Sequence, residues 1–344
     1  MVYPRRSFLG LLTAGLATAC TAPAGRSVSG RPLDTARLSA EFPALADRAA
    51  PAAFDLGVMS LPDGVTWIWR QEALLPLQSL FKAPLAAAVL AQVDARRLRL
   101  NQALHLTPTD LSAPGGLINT AWPKDATALG LSLPLADLIA LTIQQSDNTA
   151  ADTLMLRIGG PEALTAWLRS KAIPDMRVDR YERQLQQDLA GMGPFQPDLK
   201  DEAAWLAARS LIPASVRETA MDAFLNDPRD TTSVTGALDF LAKLDGGVLL
   251  SPNWTRLLLH LMTANSLGTN LLAAGLPAGA RIAHKAGASR TDLGLTPATN
   301  DMGIVTLPGG RRFAVAAFLA RSTATESTRE QLLADAARLV AACL

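Results

Sequence analysis

Ala280-Arg281-Ile282-Ala283-His284-Lys285-Ala286-Gly287 is where this chain returns from helices to strands. The run is short, largely apolar and preceded by Gly279, which reads as a buried strand rather than another helix. Two more strands are expected over 302–307 and 313–320, joined at Pro308-Gly309-Gly310, before an Ala- and Leu-rich helix over about 326–342. Near the other end, a helix over about 35–49 precedes two strands over 54–61 and 65–71. Pro62-Asp63-Gly64 between these strands is hairpin chemistry. From Ser79 to about Gly275 the periodicity is helical. Leu133, Leu135, Leu138, Ile139 and Leu141 mark one helical face, and a helix over 149–158 is stopped by Gly159-Gly160. Strands at both ends around a helical middle predict an α+β fold. Both termini form an antiparallel sheet lobe (about 37–75 and 276–344), with an all-helical lobe (about 76–275) inserted.

Composition bounds the function. Among 344 residues 49% are apolar, enough for a large core. The formal charge of +1 becomes −1 once Arg5 and Arg6 leave with the leader, so no long-range field favours nucleic acid or an anionic membrane. That leader, residues 1–20, carries the twin Arg5-Arg6, then Ser7-Phe8-Leu9 and an apolar run too short to span a bilayer, and it resembles a twin-arginine export signal. Leu16-Ala17-Thr18-Ala19-Cys20 is similar to a bacterial lipoprotein processing site, with Cys20 lipidated and the protein anchored to the membrane facing the periplasm. Cleavage by ordinary signal peptidase after Ala19 or Ala24 is the alternative and leaves a soluble periplasmic protein. Residues 21–36 read as a linker and 37–344 as the folded domain. The other cysteine, Cys343, has no partner on either route, so the exported fold is expected to stand without a disulfide.

Three short motifs carry the chemistry: Ser79-Leu80-Phe81-Lys82, Ser146-Asp147-Asn148 and Lys285-Ala286-Gly287. With six lysines in the chain, chance yields on the order of 0.3 Ser-x-x-Lys matches, so the first motif gains weight from the other two. Ser79 at a helix start, with Lys82 one turn along on the same face, supplies a nucleophilic hydroxyl and an amine to take its proton. Ser146 and Asn148, two apart in a tight loop, suit a proton relay and an amide that binds substrate; Asp147 reads as a helix cap. Lys285 in an apolar strand is costly as mere surface decoration. Gly287 permits close backbone approach, and the N–H of Ala288 can join that of Ser79 as an oxyanion hole. None of the histidines, His105, His260 and His284, has metal-ligand spacing, and His284 should point to the strand face opposite Lys285. No metal or cofactor is expected.

Order and content of these motifs resemble the class A serine β-lactamases, within the penicillin-recognising serine hydrolases, from about Phe54 to the C-terminus. Val178-Asp179-Arg180-Tyr181-Glu182-Arg183-Gln184-Leu185 is similar to the family's omega-loop segment. The resemblance implies that Glu182 activates the hydrolytic water, with Gln186 in place of a supporting asparagine. Asn226-Asp227-Pro228-Arg229-Asp230-Thr231-Thr232 also resembles a family stretch. Gly294-Leu295-Thr296-Pro297-Ala298-Thr299-Asn300-Asp301 is similar to a loop of the extended-spectrum branch. The implied fold is β-lactamase/transpeptidase-like. The implied reaction opens a small-molecule β-lactam through a Ser79 acyl-enzyme, with Lys285, Gly287, Ala288 and Ser289 on the substrate, in a chain expected to be monomeric.

Three departures stand out. Ala286 replaces a hydroxyl residue, for which Ser289, Arg290 or Arg329 could compensate. Thr299 falls where relatives place a carboxylate-binding arginine. Residues 191–225 exceed the usual omega loop and carry helix-like stretches over 202–211 and 216–225, read as a surface helical pair or as a lid. Two rivals stay open: a D-alanyl-D-alanine carboxypeptidase or other penicillin-binding protein, and a non-catalytic lipoprotein that senses peptidoglycan fragments.

Overall fold

The computed structural model describes residues 32–344 apart from 62, 71–72, 113, 123–129 and 200. The export signal, Cys20 and most of the linker lie outside the described residues. In chain order the elements begin with α1 (Thr35–Arg48), β1 (Ala53–Ser60), β2 (Thr66–Trp69), β3 (Leu75–Pro76), a 3-10 turn (Gln78–Phe81) and α2 (Lys82–Asp94). Then come β4 (Ala103–Leu106), α3 (Leu117–Ala121), β5 (Leu131–Pro134), α4 (Leu135–Gln144), α5 (Asn148–Arg157), α6 (Pro161–Ser170) and α7 (Glu182–Leu189). The chain continues with α8 (Glu202–Ser210), α9 (Ala214–Leu225), β6 (Thr231–Thr232), α10 (Val234–Asp245), α11 (Pro252–Thr263) and α12 (Leu272–Gly275). It closes with β7 (Arg281–Ala288), β8 (Thr296–Thr306), β9 (Arg312–Ser322) and α13 (Glu326–Ala342).

The fold is α+β. One antiparallel sheet runs in the order β2-β1-β9-β8-β7, so strands from both ends of the chain lie side by side and β7 is an edge. Strand alternation gives that sheet two buried faces. One packs Leu56, Val58, Val315 and Leu319 against α1 and α13 through Phe42, Leu332 and Val340. The other packs Met302, Ala316 and Phe318 against the helices. At the centre of the helices, α2 is buried nearly all round, from Ala83 to Val93, because its sequence is apolar on every face. Pro84 sits in its first turn, where a missing N–H leaves no gap in the ladder.

Sequence patterning placed most elements, with three corrections. The region expected to be all-helical also holds two small ribbons, β3 with β6 and β4 with β5. Leu133 belongs to β5 rather than to the helical face of α4. The loop expected over 294–301 is mostly strand: β8 begins at Thr296 and pairs Thr299 with Ala288 and Asn300 with Gly287. Its polar residues are paired across the sheet, which a polarity pattern reads as loop.

Candidate active site

Ser79 sits on the 3-10 turn and α2 starts only at Lys82, so the nucleophile precedes the helix rather than opening it. The turn is tight: its first residue, Gln78, has φ +46°, a left-handed value at a buried, non-glycine residue. Lys82, fully buried, places Nζ 3.1 Å from Ser79 Oγ, 2.7 Å from the Ser146 carbonyl, 3.2 Å from Ser146 Oγ and 2.6 Å from Asn148 Oδ1. Burial drives the Lys82 pKa down, against the charges of Glu182, Asp147 and Asp152. A downward shift favours the neutral amine, the form that can take a proton.

Ser146 lies between α4 and α5 with φ +51°, which aims its hydroxyl and its carbonyl at Lys82 together. Asp147 caps α5 by accepting from Ala150 N at 2.8 Å and also accepts from Ile118 N at 2.8 Å. Asn148, expected to bind substrate, also makes two contacts inside the protein. Oδ1 accepts from Lys82, and Nδ2 donates to the Pro114 carbonyl at 2.6 Å. These contacts orient Lys82 and use one of the two Nδ2 N–H groups.

The third motif arrives on the edge strand. Lys285, 1% exposed, reaches Ser146 Oγ at 3.1 Å and the Ala286 carbonyl at 2.8 Å. Burial first, then the charge of Lys82, lowers its pKa to about 7. On the opposite face His284 pairs with Asp301 at 2.9 Å. Burial alone would lower the His284 pKa, but the charge and hydrogen bond of Asp301 more than offset it and the net shift is upward. Ser289 N donates to Ala298 O at 2.9 Å, so 289 and 298 form a hydrogen-bonded pair and the neighbouring Ala288 and Thr299 do not. The Ala288 N–H therefore points out from the sheet edge. Gly287 brings that edge against the nucleophile's turn: a Cβ on it would stand 3.0 Å from Ser79 N, Leu80 N and Leu77 O.

Of the residues offered to replace the missing hydroxyl at 286, Ser289 is 9% exposed and its Oγ meets no partner among the described residues. Arg290 instead pairs with Glu202 of α8. Arg329 donates to Thr299 Oγ1 at 3.0 Å and to the Ala324 carbonyl at 2.6 Å, beside Ala288 on the face away from Lys285.

Glu182, 2% exposed, opens α7. Gln186, one turn on, donates to its Oε1 at 2.8 Å, while Oε2 meets no donor among the described residues. Two features missed in the sequence hold this segment. Asp152 of α5 accepts from the backbone N–H of Glu182 at 2.7 Å and of Arg183 at 3.0 Å, and its pKa is pushed up to about 6 by burial. Arg180 and Asp230 form a buried pair at 2.6 Å, and Asp230 also accepts from the backbone N–H of Asp179 and Arg180. Asp230 had appeared only within a family-like stretch. The signal available was the opposite charge of Arg180 and Asp230 flanking the segment that carries α7, α8 and α9.

Comparison with known proteins agrees with this geometry. Residues 37–344 match the family model of the beta-lactamase enzyme family. The chain is 32% identical over 265 residues to the extended-spectrum beta-lactamase PER-1 of Pseudomonas aeruginosa, covering 76% of this chain and 73% of that one. A crystal structure of a beta-lactamase from Chitinophaga pinensis superimposes with TM-score 0.72 at 29% identity, covering 88% of this chain and 98% of the other. An ancestral class A beta-lactamase gives TM-score 0.70 at 30% identity, over 89% and 100%. With a match across nearly all of the folded chain and a serine, two lysines and a second serine joined by hydrogen bonds, this protein belongs to the beta-lactamase enzyme family.

Proposed function

We propose that this chain hydrolyses the β-lactam ring of penicillin- and cephalosporin-type antibiotics through an acyl-enzyme on Ser79, and so confers resistance to them. Lys82 takes the Ser79 proton as Oγ attacks the ring carbonyl, and the N–H groups of Ser79 and Ala288 receive the developing oxyanion. Ser146, between Lys82 and Lys285, hands a proton to the departing ring nitrogen, and Lys285 holds the substrate carboxylate. Glu182 and Gln186 then direct a water onto the ester, which frees Ser79.

The observation that carries this reading over a carboxypeptidase is the buried Glu182 carboxylate, anchored through Gln186 on one oxygen and, among the described residues, without a donor on the other. A chromogenic cephalosporin followed by absorbance, with the intact protein weighed during turnover, tests it. Wild type should turn over with little adduct. Glu182→Ala should still acylate but release product about 10²–10⁴-fold more slowly, the range for losing a general base. Unchanged turnover in that variant removes Glu182 from the mechanism, and a stoichiometric, lasting adduct in wild type supports the penicillin-binding reading.

The same proposal places the enzyme outside the cytoplasm as a monomer, exported by the twin-arginine signal and anchored through lipid on Cys20. Cys20→Ala should move it from the membrane fraction to the soluble periplasmic fraction. A protein already soluble as wild type points to ordinary signal peptidase.

A further inference from the structure

Residues 190–229 lie between α7 and Asp230, the partner of Arg180, and contain α8 and α9. Helices this short do not stand alone, and within the hairpin of α8 and α9 only Trp205, Met221 and Phe224 are buried. Ala190, Met192 and Trp205, with Leu199, Ala208 and Ile212, form a small cluster apart from the two main cores. Leu206, Leu211 and Val216 stay exposed. Its position has to come from ties to its neighbours.

Besides the exposed pairs Arg290–Glu202 and Arg321–Asp222, the shielded ties converge on Asp292, in the turn between β7 and β8. The turn is itself closed by two backbone bonds between Asp292 and Leu295, at 2.9 and 2.8 Å. Asp292 Oδ2 takes Arg209 of α8 at 2.6 Å and Arg217 of α9 at 3.0 Å, one guanidinium from each helix. Arg217 also donates to the Ile212 carbonyl at 2.7 Å, closing the link between the helices. All three side chains are under one-fifth exposed, so the contact is shielded from salt and water in a way a surface pair is not. Gln186, Leu189, Trp205, Arg209 and Asp292 line one small cavity, so the clasp forms the wall behind the amide that holds Glu182. The turn that carries Asp292 directly follows Ala288 and Ser289.

We infer that Asp292 is a positioning residue: by clasping Arg209 and Arg217 it holds α8 and α9 against the β7–β8 turn. That fixes the spacing between the Glu182/Gln186 pair and the oxyanion strand on which deacylation depends. The inference rests on the reading of Glu182 given above. Glu182 acts only after acylation, so loosening its supporting wall should slow ester hydrolysis while leaving attack by Ser79 nearly intact.

The test measures acylation by stopped flow and deacylation by intact mass for Asp292→Asn, Asp292→Ala and the double variant Arg209→Ala/Arg217→Ala. Misplacement by about 1 Å costs on the order of 10²-fold, so deacylation in each should slow by about tenfold or more, with acyl-enzyme accumulating and acylation within about twofold of wild type. Adding Asp292→Ala to the arginine pair should cost nothing further. Asp292→Glu should restore deacylation. Asp222→Ala, which loosens an exposed tie from α9 to Arg321, should behave as wild type. Acylation and deacylation falling together overturn the inference. So does unchanged deacylation in variants whose residues 191–225 have become open to protease. Wild type that forms neither product nor adduct strikes instead at the proposed activity, which separates the two failures.

Discussion

Replacing Gly287 by alanine tests the approach that brings the nucleophile to the sheet edge. A methyl there would stand 3.0 Å from Leu77 O, Ser79 N and Leu80 N, all backbone atoms with no rotamer to yield. Comfortable contact begins near about 3.5 Å, so β7 and the 3-10 turn must part by about half an ångström. Oxyanion donors act at about 2.7–3.1 Å, and that opening carries one of the Ser79 and Ala288 N–H groups beyond hydrogen-bond length. Losing one donor outright costs about 10²–10³ in kcat, so a half-lost one places the expected fall in acylation at about 10- to 10²-fold. Stopped-flow acylation by a chromogenic cephalosporin reads this directly, and a thermal melt checks that the variant is folded. A folded Gly287→Ala enzyme that acylates within twofold of wild type would refute the argument that this contact sets the oxyanion geometry.

Two further outcomes follow from charge. Lys285, with its pKa lowered to about 7, loses its ammonium as pH rises through that value. Recognition of the substrate carboxylate should therefore weaken on the alkaline side, with KM rising above about pH 7. Arginine stays charged throughout, so Lys285→Arg should flatten that limb, and a limb that persists there assigns it to another group. The Arg180/Asp230 pair, with side chains 6% and 4% exposed, is buried. Asp230→Asn leaves Arg180 without its main counter-charge, at an expected cost of about 3–5 kcal/mol read by denaturant unfolding, and an unchanged midpoint would show that Asp188 and Asp227 suffice.

What the sequence made legible was what repeats or what chemistry requires. Strand runs at 53–60 and 312–322 show as apolar segments bounded by turn residues, and α13 as a long periodic helix. Ser79, Lys82, Ser146 and Lys285 show because acyl transfer needs those side chains at those spacings. Asp152 and Asp292 escaped for one shared reason. Each acts on groups far along the chain, Asp152 on the N–H groups that open α7 and Asp292 on arginines of the insert, and nothing local marks an aspartate for such work. The β3/β6 and β4/β5 ribbons escaped because pairings two to four residues long are too short for a period to register. Asn148 was found as part of the pocket through its spacing from Ser146, and only geometry revealed that its Oδ1 also holds Lys82 while its Nδ2 spends one of its two N–H groups on the Pro114 carbonyl.

The assignment of protons between the two lysines follows from those same contacts. Lys82 Nζ has four oxygen neighbours, and the two nearest, Asn148 Oδ1 and the Ser146 carbonyl at 2.6 and 2.7 Å, can only accept. A neutral amine has two N–H groups to give, and these two acceptors use both. Its lone pair then faces the hydroxyls of Ser79 and Ser146, at 3.1 and 3.2 Å, either of which can donate. An ammonium would spend its third N–H on one of those hydroxyls and keep no lone pair for the proton that attack releases. Burial lowers the Lys82 pKa, and burial together with the charge of Lys82 lowers that of Lys285, so two cations sharing Ser146 Oγ repel and the cost falls when one is neutral. Lys285, at the sheet edge where the substrate carboxylate would lie, gains most from keeping its charge. The pair thus divides into a base beside Ser79 and a cation beside the carboxylate, and Asn148, by holding two of the three Nζ directions with the Ser146 carbonyl, determines which lysine is which.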